Sequence, residues 1–344
     1  MDSLSLSLAP VKGSEALRNA VAALYDESIT PEHVISTVGA TGANSLVLQS
    51  ILNPGDHVIS LYPSYAQLIS LPQAITGIDV SLWTLDLENR AEVNIRSLEN
   101  LIKPTTKMII LNNPNNPTGT MLPLDIQRGI VDLAKSRGLI VVVDEIFRPL
   151  YHEPDSLMPP SFVELSDQYS EILVTGSLSK AWGLAGVRAG WIVTKDSALL
   201  NECQKLKLYT VNSTSAIDEV IAAEALSERC RPQILSKHLG LAQQNLDLLQ
   251  SFIDRHPKSC SWVRPSAGAT AFVRFSVNGV AVDDVDFCTR LVAATGVLLA
   301  PGSLCFGLSG HDDLRGYTRV HITGQPDVMR EALEALDGFL QRYP

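Results

Sequence analysis

The chain has 344 residues, a formal net charge of −10, hydrophobic residues at 45% and charged residues at 19%. That length suffices for two domains, or one large and one small, around a sizeable core. The acidic balance has no basic tract to offset it, which argues against nucleic acid or an anionic membrane as partner. Cys203, Cys230, Cys260, Cys288 and Cys305 are scattered singly without zinc-type spacing, as in proteins with reduced intracellular thiols. No apolar run reaches the length of a membrane span, and the start "MDSLSLSLAP" lacks a charged leader and a solid hydrophobic block. A cytoplasmic protein is expected.

Apolar, β-branched runs at "HVISL" (57–61), "KMIIL" (107–111), "LIVVVD" (139–144), "EILVT" (171–175) and "GWIVT" (190–194) alternate with helical stretches. This is the pattern of a parallel sheet covered on both faces. The clearest helix runs from about Leu124 to Arg137, with Ile126, Ile130, Val131, Leu133 and Ala134 on one side and Gly138 as its stop. After about residue 225 the texture changes. A long helical stretch, "ILSKHLGLAQQNLDLLQSFIDRH", leads to a strand "TAFVRF", a helix ending at Gly296, a short strand "VLLAP" and a closing amphipathic helix. The expectation is a large domain over 1–225 and a smaller α+β domain over 226–344, packed directly, with ligands favoured in the cleft.

Four polar stretches stand out along this frame. "VGATGAN" (38–44) places small residues between a strand and an apolar helix, where free backbone N–H groups and the helix dipole suit a phosphate; a plain tight turn is the alternative. "NNPNNPTG" (112–119) rigidifies a loop at a strand's C-terminal end, and Asn116 is positioned to donate from it. "VVVDE" (141–145) ends a fully apolar strand on Asp144. A buried acid there needs a partner: a cationic ring nitrogen, a nearby arginine, or a helix N-terminus it caps. In "TGSLSKAWGLAGVRAGW" (175–191), Lys180 emerges from the end of a buried strand. Burial favours its neutral amine, the form that Schiff-base chemistry requires.

The set Ala40, Thr41, Tyr65, Asn116, Asp144, Ser177, Lys180 and Arg188 resembles the pyridoxal-phosphate site of class I/II aminotransferases, of fold type I. The spacings Asn116 to Asp144, Asp144 to Lys180 and Lys180 to Arg188 follow the family pattern, and the resemblance runs from about Gly13 to the C-terminus. It implies a three-layer α/β/α large domain with a mostly parallel mixed sheet, a smaller α+β domain and a homodimer. No metal is implied. Lys180 would hold the cofactor as a Schiff base and then move protons. Asp144 would pair with the pyridine nitrogen, Tyr65 would stack on the ring, and Asn116 would bond the phenolic oxygen. Ala40, Thr41, Ser177 and Arg188 would anchor the phosphate, and Arg319, in "YTRVHI", would bind the substrate carboxylate. Residues around Asn212 to Ser215 would reach the partner's site. For Arg319 a plain strand arginine is the alternative.

Three departures qualify this. Phe147 stands where the family usually has a second donor to the phenolic oxygen, a tyrosine. About Leu8 stands where a tyrosine would cross to the partner's phosphate. The N-terminal arm that closes over the substrate is largely absent ahead of Val11, which leaves truncation, a wrong start or specialisation open. The leading expectation is ping-pong transamination between an α-amino acid and an α-keto acid. Another fold-type I reaction (lyase, cyclase or decarboxylase) and a non-catalytic cofactor-binding protein are the alternatives.

Overall fold

Strand β1 (Val34–Val38), β2 (His57–Tyr62), β3 (Asp79–Thr84), β4 (Thr106–Asn112), β5 (Ile140–Asp144), β6 (Ile172–Ser177) and β7 (Ala189–Val193) form one sheet in the order β1-β7-β6-β5-β4-β2-β3. The structure is a computed structural model of one chain that describes residues 7–75, 77–153, 158–307 and 313–343. Alternation along the central strands makes both faces apolar. Ile109, Leu111, Val141 and Val143 enter one core, while Met108, Ile110, Ile140 and Val142 enter another on the opposite face. The helix Leu124–Arg137 covers the first face, stopped by Gly138 in the left-handed conformation at φ 64°. The helix Gly39–Ile51 covers the second. Strands β2 to β6 are parallel, but β7 runs antiparallel to β6 and β1 antiparallel to β7. The reason lies in the β6–β7 connection. Residues 178–188 carry only a short 3-10 turn and no crossover helix, so the chain doubles back beside its own strand.

The second sheet is built from β8 (Cys260–Trp262), β9 (Thr270–Val277), β10 (Val280–Ala281), β11 (Ala300–Pro301) and β12 (Tyr317–His321), in the order β10-β9-β12-β11 with β8 on β9. The expected strand "VLLAP" is reduced to its last two residues, since Val297 to Leu299 pair with no neighbouring strand. Its core includes Ala271, Val273, Phe275, Phe287, Leu291 and Phe339. The helix Arg231–Arg255 serves both bodies: Ile234, Leu235 and Leu239 pack on the large core, and Ala242, Leu246 and Phe252 on the small one. The two bodies touch closely at Gly119. Its carbonyl accepts from the Ser266 and Ala267 N–H groups, both at 3.0 Å, and a Cβ there would lie 2.5 Å from Pro265 and 2.6 Å from the Thr270 carbonyl. Only glycine, here at φ 69°, fits both the space and the backbone.

Candidate active site

The C-terminal ends of β4, β5 and β6 converge with the N-terminus of helix Gly39–Ile51, where open α/β sheets collect ligands. A cavity of about 260 Å³ opens there. Ala40, Thr41, Tyr65, Asn116, Asp144, Lys180, Arg188 and Arg319 all line it, so the structure brings these sequence-selected residues together. Ser177 is set apart. It is fully buried, and its Oγ accepts from the Ser179 N–H at 3.2 Å, while Ser179 lines the cavity.

The Gly39–Ile51 helix starts directly after β1, so "GATGA" forms its first turn rather than a loop before it. Its N-cap, Val38, offers no side-chain acceptor, and the first N–H groups are left free for an anion. Arg188, at φ 57°, lays its guanidinium over Gly39: a Cβ on Gly39 would sit 2.6 Å from its terminal nitrogen. A Cβ on Gly190 would strike the Gly39 backbone at 2.4 Å. The two glycines thus allow a cation and a helix N-terminus to meet.

Asp144 is 1% exposed and carries no cationic partner among the described residues. It accepts from Asn44 Nδ2 at 2.7 Å and from the Ile146 N–H at 3.0 Å. Burial outweighs these two hydrogen bonds and pushes its carboxyl up to about 6. The arginine partner considered from the sequence is not there; the local turn to Ile146 is. Lys180 lies three residues beyond β6, open to the cavity, with its amine unpartnered among the described residues. Partial burial first, then the Arg319 charge, holds its pKa below the usual lysine value. Arg319 donates to Asn116 Oδ1 at 3.3 Å and lies over the Phe306 ring, 5.2 Å from its centre. That leaves the Asn116 Nδ2 donor unengaged among the described residues. Phe147 lines the cavity with no polar atom, and Leu8 is 78% exposed.

Residues 4–336 match the family model "Aminotransferase class I and II". Capreomycidine synthase of Streptomyces vinaceus is 30% identical over 303 residues, 88% of this chain and 74% of that protein. A probable aspartate/prephenate aminotransferase of Thermus aquaticus is 29% identical, over 97% of this chain and 83% of its own. The crystal structure of a PLP-dependent aminotransferase from Streptococcus suis superposes with a TM-score of 0.87 at 35% identity, over 97% of this chain and 83% of that one. The chain belongs to the class I and II aminotransferases.

Pyridoxal 5′-phosphate is the cofactor of this aminotransferase, and the cavity fits it. A phosphate finds the free helix N-terminus and Arg188, a ring nitrogen finds an acid lacking a countercharge, and a phenolic oxygen finds the free amide of Asn116. Several supporting residues escaped the sequence reading. Asn44 holds Asp144 while its own Oδ1 accepts from Thr175 at 2.6 Å. It lies in an apolar helix, where a lone asparagine, destabilising by propensity, was the available signal. Asn112 donates to the Asp144 carbonyl at 2.9 Å and accepts from the Asn116 N–H at 2.7 Å, which locks the loop onto β5. Buried Asp284 accepts from Ser303 and from the Gly316 N–H, setting the segment that enters β12 and so the position of Arg319.

Proposed function

We propose that this aminotransferase exchanges amino groups between an α-amino acid and an α-keto acid, with Lys180 as the proton-moving amine and Asp144 as the ring-nitrogen partner. The observation that carries the reading is a buried Asp144 carboxyl with no counter-charge among the described residues, in the same cavity as a Lys180 amine that no described residue bonds. When bound, the cofactor supplies an electron sink that stabilises a carbanion at the substrate α-carbon. Asp144 keeps the ring nitrogen protonated, since a carboxylate without a cation in that buried place is unfavourable and a pyridinium relieves it. Lys180, its pKa lowered by burial and the Arg319 charge, would accept a proton from the α-carbon side and return it at the neighbouring carbon. Arg188 and the first turn of helix Gly39–Ile51 hold the phosphate, with Ser179 beside them; Tyr65 covers the ring and Asn116 donates to its phenolic oxygen. Arg319 orients the substrate through its carboxylate, steadied by Asn116 and Phe306.

A homodimer is part of the proposal. Leu208, Tyr209, Val211, Ile217, Val220 and Ile221 are all exposed on two consecutive helices and the turn between them, apolar surface of the kind that an obligate partner covers. Residues 212–215 join these two helices. The reducing cytoplasm fits the five cysteines, all free, and no helix among the described residues is long and apolar enough to cross a membrane.

A second reading, cyclisation of an amino acid, is favoured by one observation: the structure of the PLP-dependent cyclase OrfR superposes with a TM-score of 0.86 at 25% identity, over 100% of this chain and 86% of that one. Purified protein loaded with cofactor and screened against amino acids separates the two. Keto acid accumulating with amino transfer supports transamination. Turnover of the amino acid without keto acid, ammonia or carbon dioxide, yielding an isomer or dehydrated ring, moves the assignment to the second reading.

A further inference from the structure

Side chains alternate along β12, so Tyr317, Arg319 and His321 share one face and Thr318 and Val320 the other. Val320 packs in the small-domain core, which turns the first face toward the large domain and the cavity. Arg319 and His321 pair with Phe272 and Thr270 of β9, and His321 and Thr270 both line the cavity with Lys180. The sequence reading assigned His321 no role. Its Nε2 lies 3.2 Å from Thr323 Oγ1, and Nδ1 has no hydrogen-bond partner among the described residues. The charged groups that act on the ring are Lys180, from the β6–β7 connection, and Arg319, from its own strand; β9 presents uncharged Thr270, and helix Pro326–Leu340 places Glu331 along a second cavity that the exposed His321 also lines. Arg188 and Asp144 line the cavity with Lys180. Partial burial first, then Lys180 and Arg319, holds the imidazole below its usual value, so it is neutral at physiological pH.

An imidazole between two cations is poor at holding a proton until an anion arrives. A carboxylate drawn in by Arg319 changes the sign of the local field, and the ring two residues away on the same strand face can then charge and donate to it. We propose that His321 is a second carboxylate-recognition residue, paired with Arg319, that takes up a proton when the substrate carboxylate docks. The pairing rests on the reading of Arg319 as the residue that binds this carboxylate. Because the group charges only in the complex, carboxylate affinity strengthens as pH falls between the titration points of the free and the occupied protein, by up to about tenfold per pH unit. Outside that window it is flat.

The test uses cofactor-loaded protein with carbon-13-labelled histidine rings, the His321 signal being assigned by its loss in His321→Gln. Propionate, a monocarboxylate without an amine, is the probe, with propionamide and matched sodium chloride as controls. The His321 titration midpoint should rise by on the order of one pH unit with saturating propionate and stay fixed with propionamide. In His321→Gln, which keeps a hydrogen-bonding side chain but cannot titrate in this range, the KM for the amino substrate should lose its pH dependence in that window with kcat little changed. A midpoint indifferent to propionate, or one moved only by the dicarboxylate succinate, overturns the pairing. Arg319→Gln separates the two claims: if it abolishes the propionate response the reading of Arg319 stands, whereas propionate binding unchanged in that variant removes the reading itself.

Discussion

Two lysines, Lys180 and Lys207, sit in charged clusters that are wired in opposite ways. Lys207 is 1% exposed and donates to the Val11 carbonyl and, at 3.2 Å, to Ser36 Oγ. Ser36 passes the connection on, donating to Glu219 at 2.8 Å, while Thr214 and the Ser14 N–H also donate to that carboxylate. The cluster therefore ties the segment leading into the first helix to β1 and to helices Ser197–Thr210 and Ala216–Ala225, and its polar groups are answered from within the chain. Around Lys180 they are not. The amine is free, Asp144 meets only amide donors, and the helix N-terminus faces the cavity. A completed network holds a fold together; an incomplete one, here with Lys180 exposed to the cavity while Asp144 is buried, marks where a ligand supplies the missing partner.

The largest effect expected of any change to this contrast is at the open end. Lys180→Ala should keep the fold, because no described residue bonds to the amine, and should lower turnover at least 10³-fold by removing a positioned acid–base. Borohydride reduction of the loaded parent followed by peptide mapping should place the cofactor on Lys180. Label on Lys107 or Lys195 would overturn the assignment. Glu219→Gln should do the reverse. It takes the charged acceptor from two hydroxyls and a backbone N–H and leaves Lys207 buried without a counter-charge, at a cost of about 3 kcal/mol in urea unfolding, with turnover per folded molecule little changed. Lys207 itself, brought down to about 8 by burial, carries a pH signature. Between that value and the ordinary lysine range the unfolded chain holds more protons, so the parent's stability should rise with pH across this interval.

Asp144 gives the next effect, with the opposite sign to Glu219. Its folded-state value of about 6 lies above the ordinary 3.8, so the cofactor-free native state holds more protons between them and loses stability as pH rises through that range. Asp144→Asn removes the penalty. The empty variant should be more stable than the empty parent by about 2 kcal/mol at pH 8 and no more stable at pH 4, while it binds the cofactor more weakly. Equal stability of both proteins at the two pH values would mean that Asp144 is relieved by solvent rather than waiting for a cation.

Much of the open site was legible in the sequence because its residues end strands or begin helices, where local pattern dictates position. The run "VVVD" places Asp144 at a sheet edge, and "TGSLSK" carries Lys180 past another. The antiparallel β7 was not legible, since "GWIVT" reads the same in either direction and only the lack of a crossover helix reverses it. Asn44, Asp284 and the Lys207–Glu219 cluster escaped for a common reason: each is defined by partners that are distant in sequence, 100 residues away for Asn44 and Asp144. Ser177 ends strand β6, buried, with its hydroxyl accepting from the Ser179 N–H, and Ser179, assigned no role from the sequence, lines the cavity.

The smallest effect concerns Phe147, 3% exposed and lining the cavity beside Gly268, where a Cβ would come within 3.6 Å of its ring. A tyrosine here adds one hydroxyl at the far end of a ring that lines the same cavity as Asn116. The cofactor's phenolic oxygen is an ionised acceptor in the working enzyme, and a second donor to it favours the ionised form. A hydrogen bond to a charged group contributes about 1.5–3 kcal/mol, and a water already occupying the place reduces what the hydroxyl adds. At about 1.4 kcal/mol per unit, the midpoint of the loaded protein's absorbance titration should fall by on the order of one pH unit in Phe147→Tyr. The sign follows from which form gains the donor: stabilising the deprotonated state lowers the pH at which half the molecules reach it. A hydroxyl that enters the cavity leaves the ring's core contacts in place, so unfolding of the variant should match the parent within about 0.5 kcal/mol. A midpoint that stays or rises, with unfolding unchanged, would show that Phe147 faces away from the phenolic oxygen and that Asn116 holds it alone.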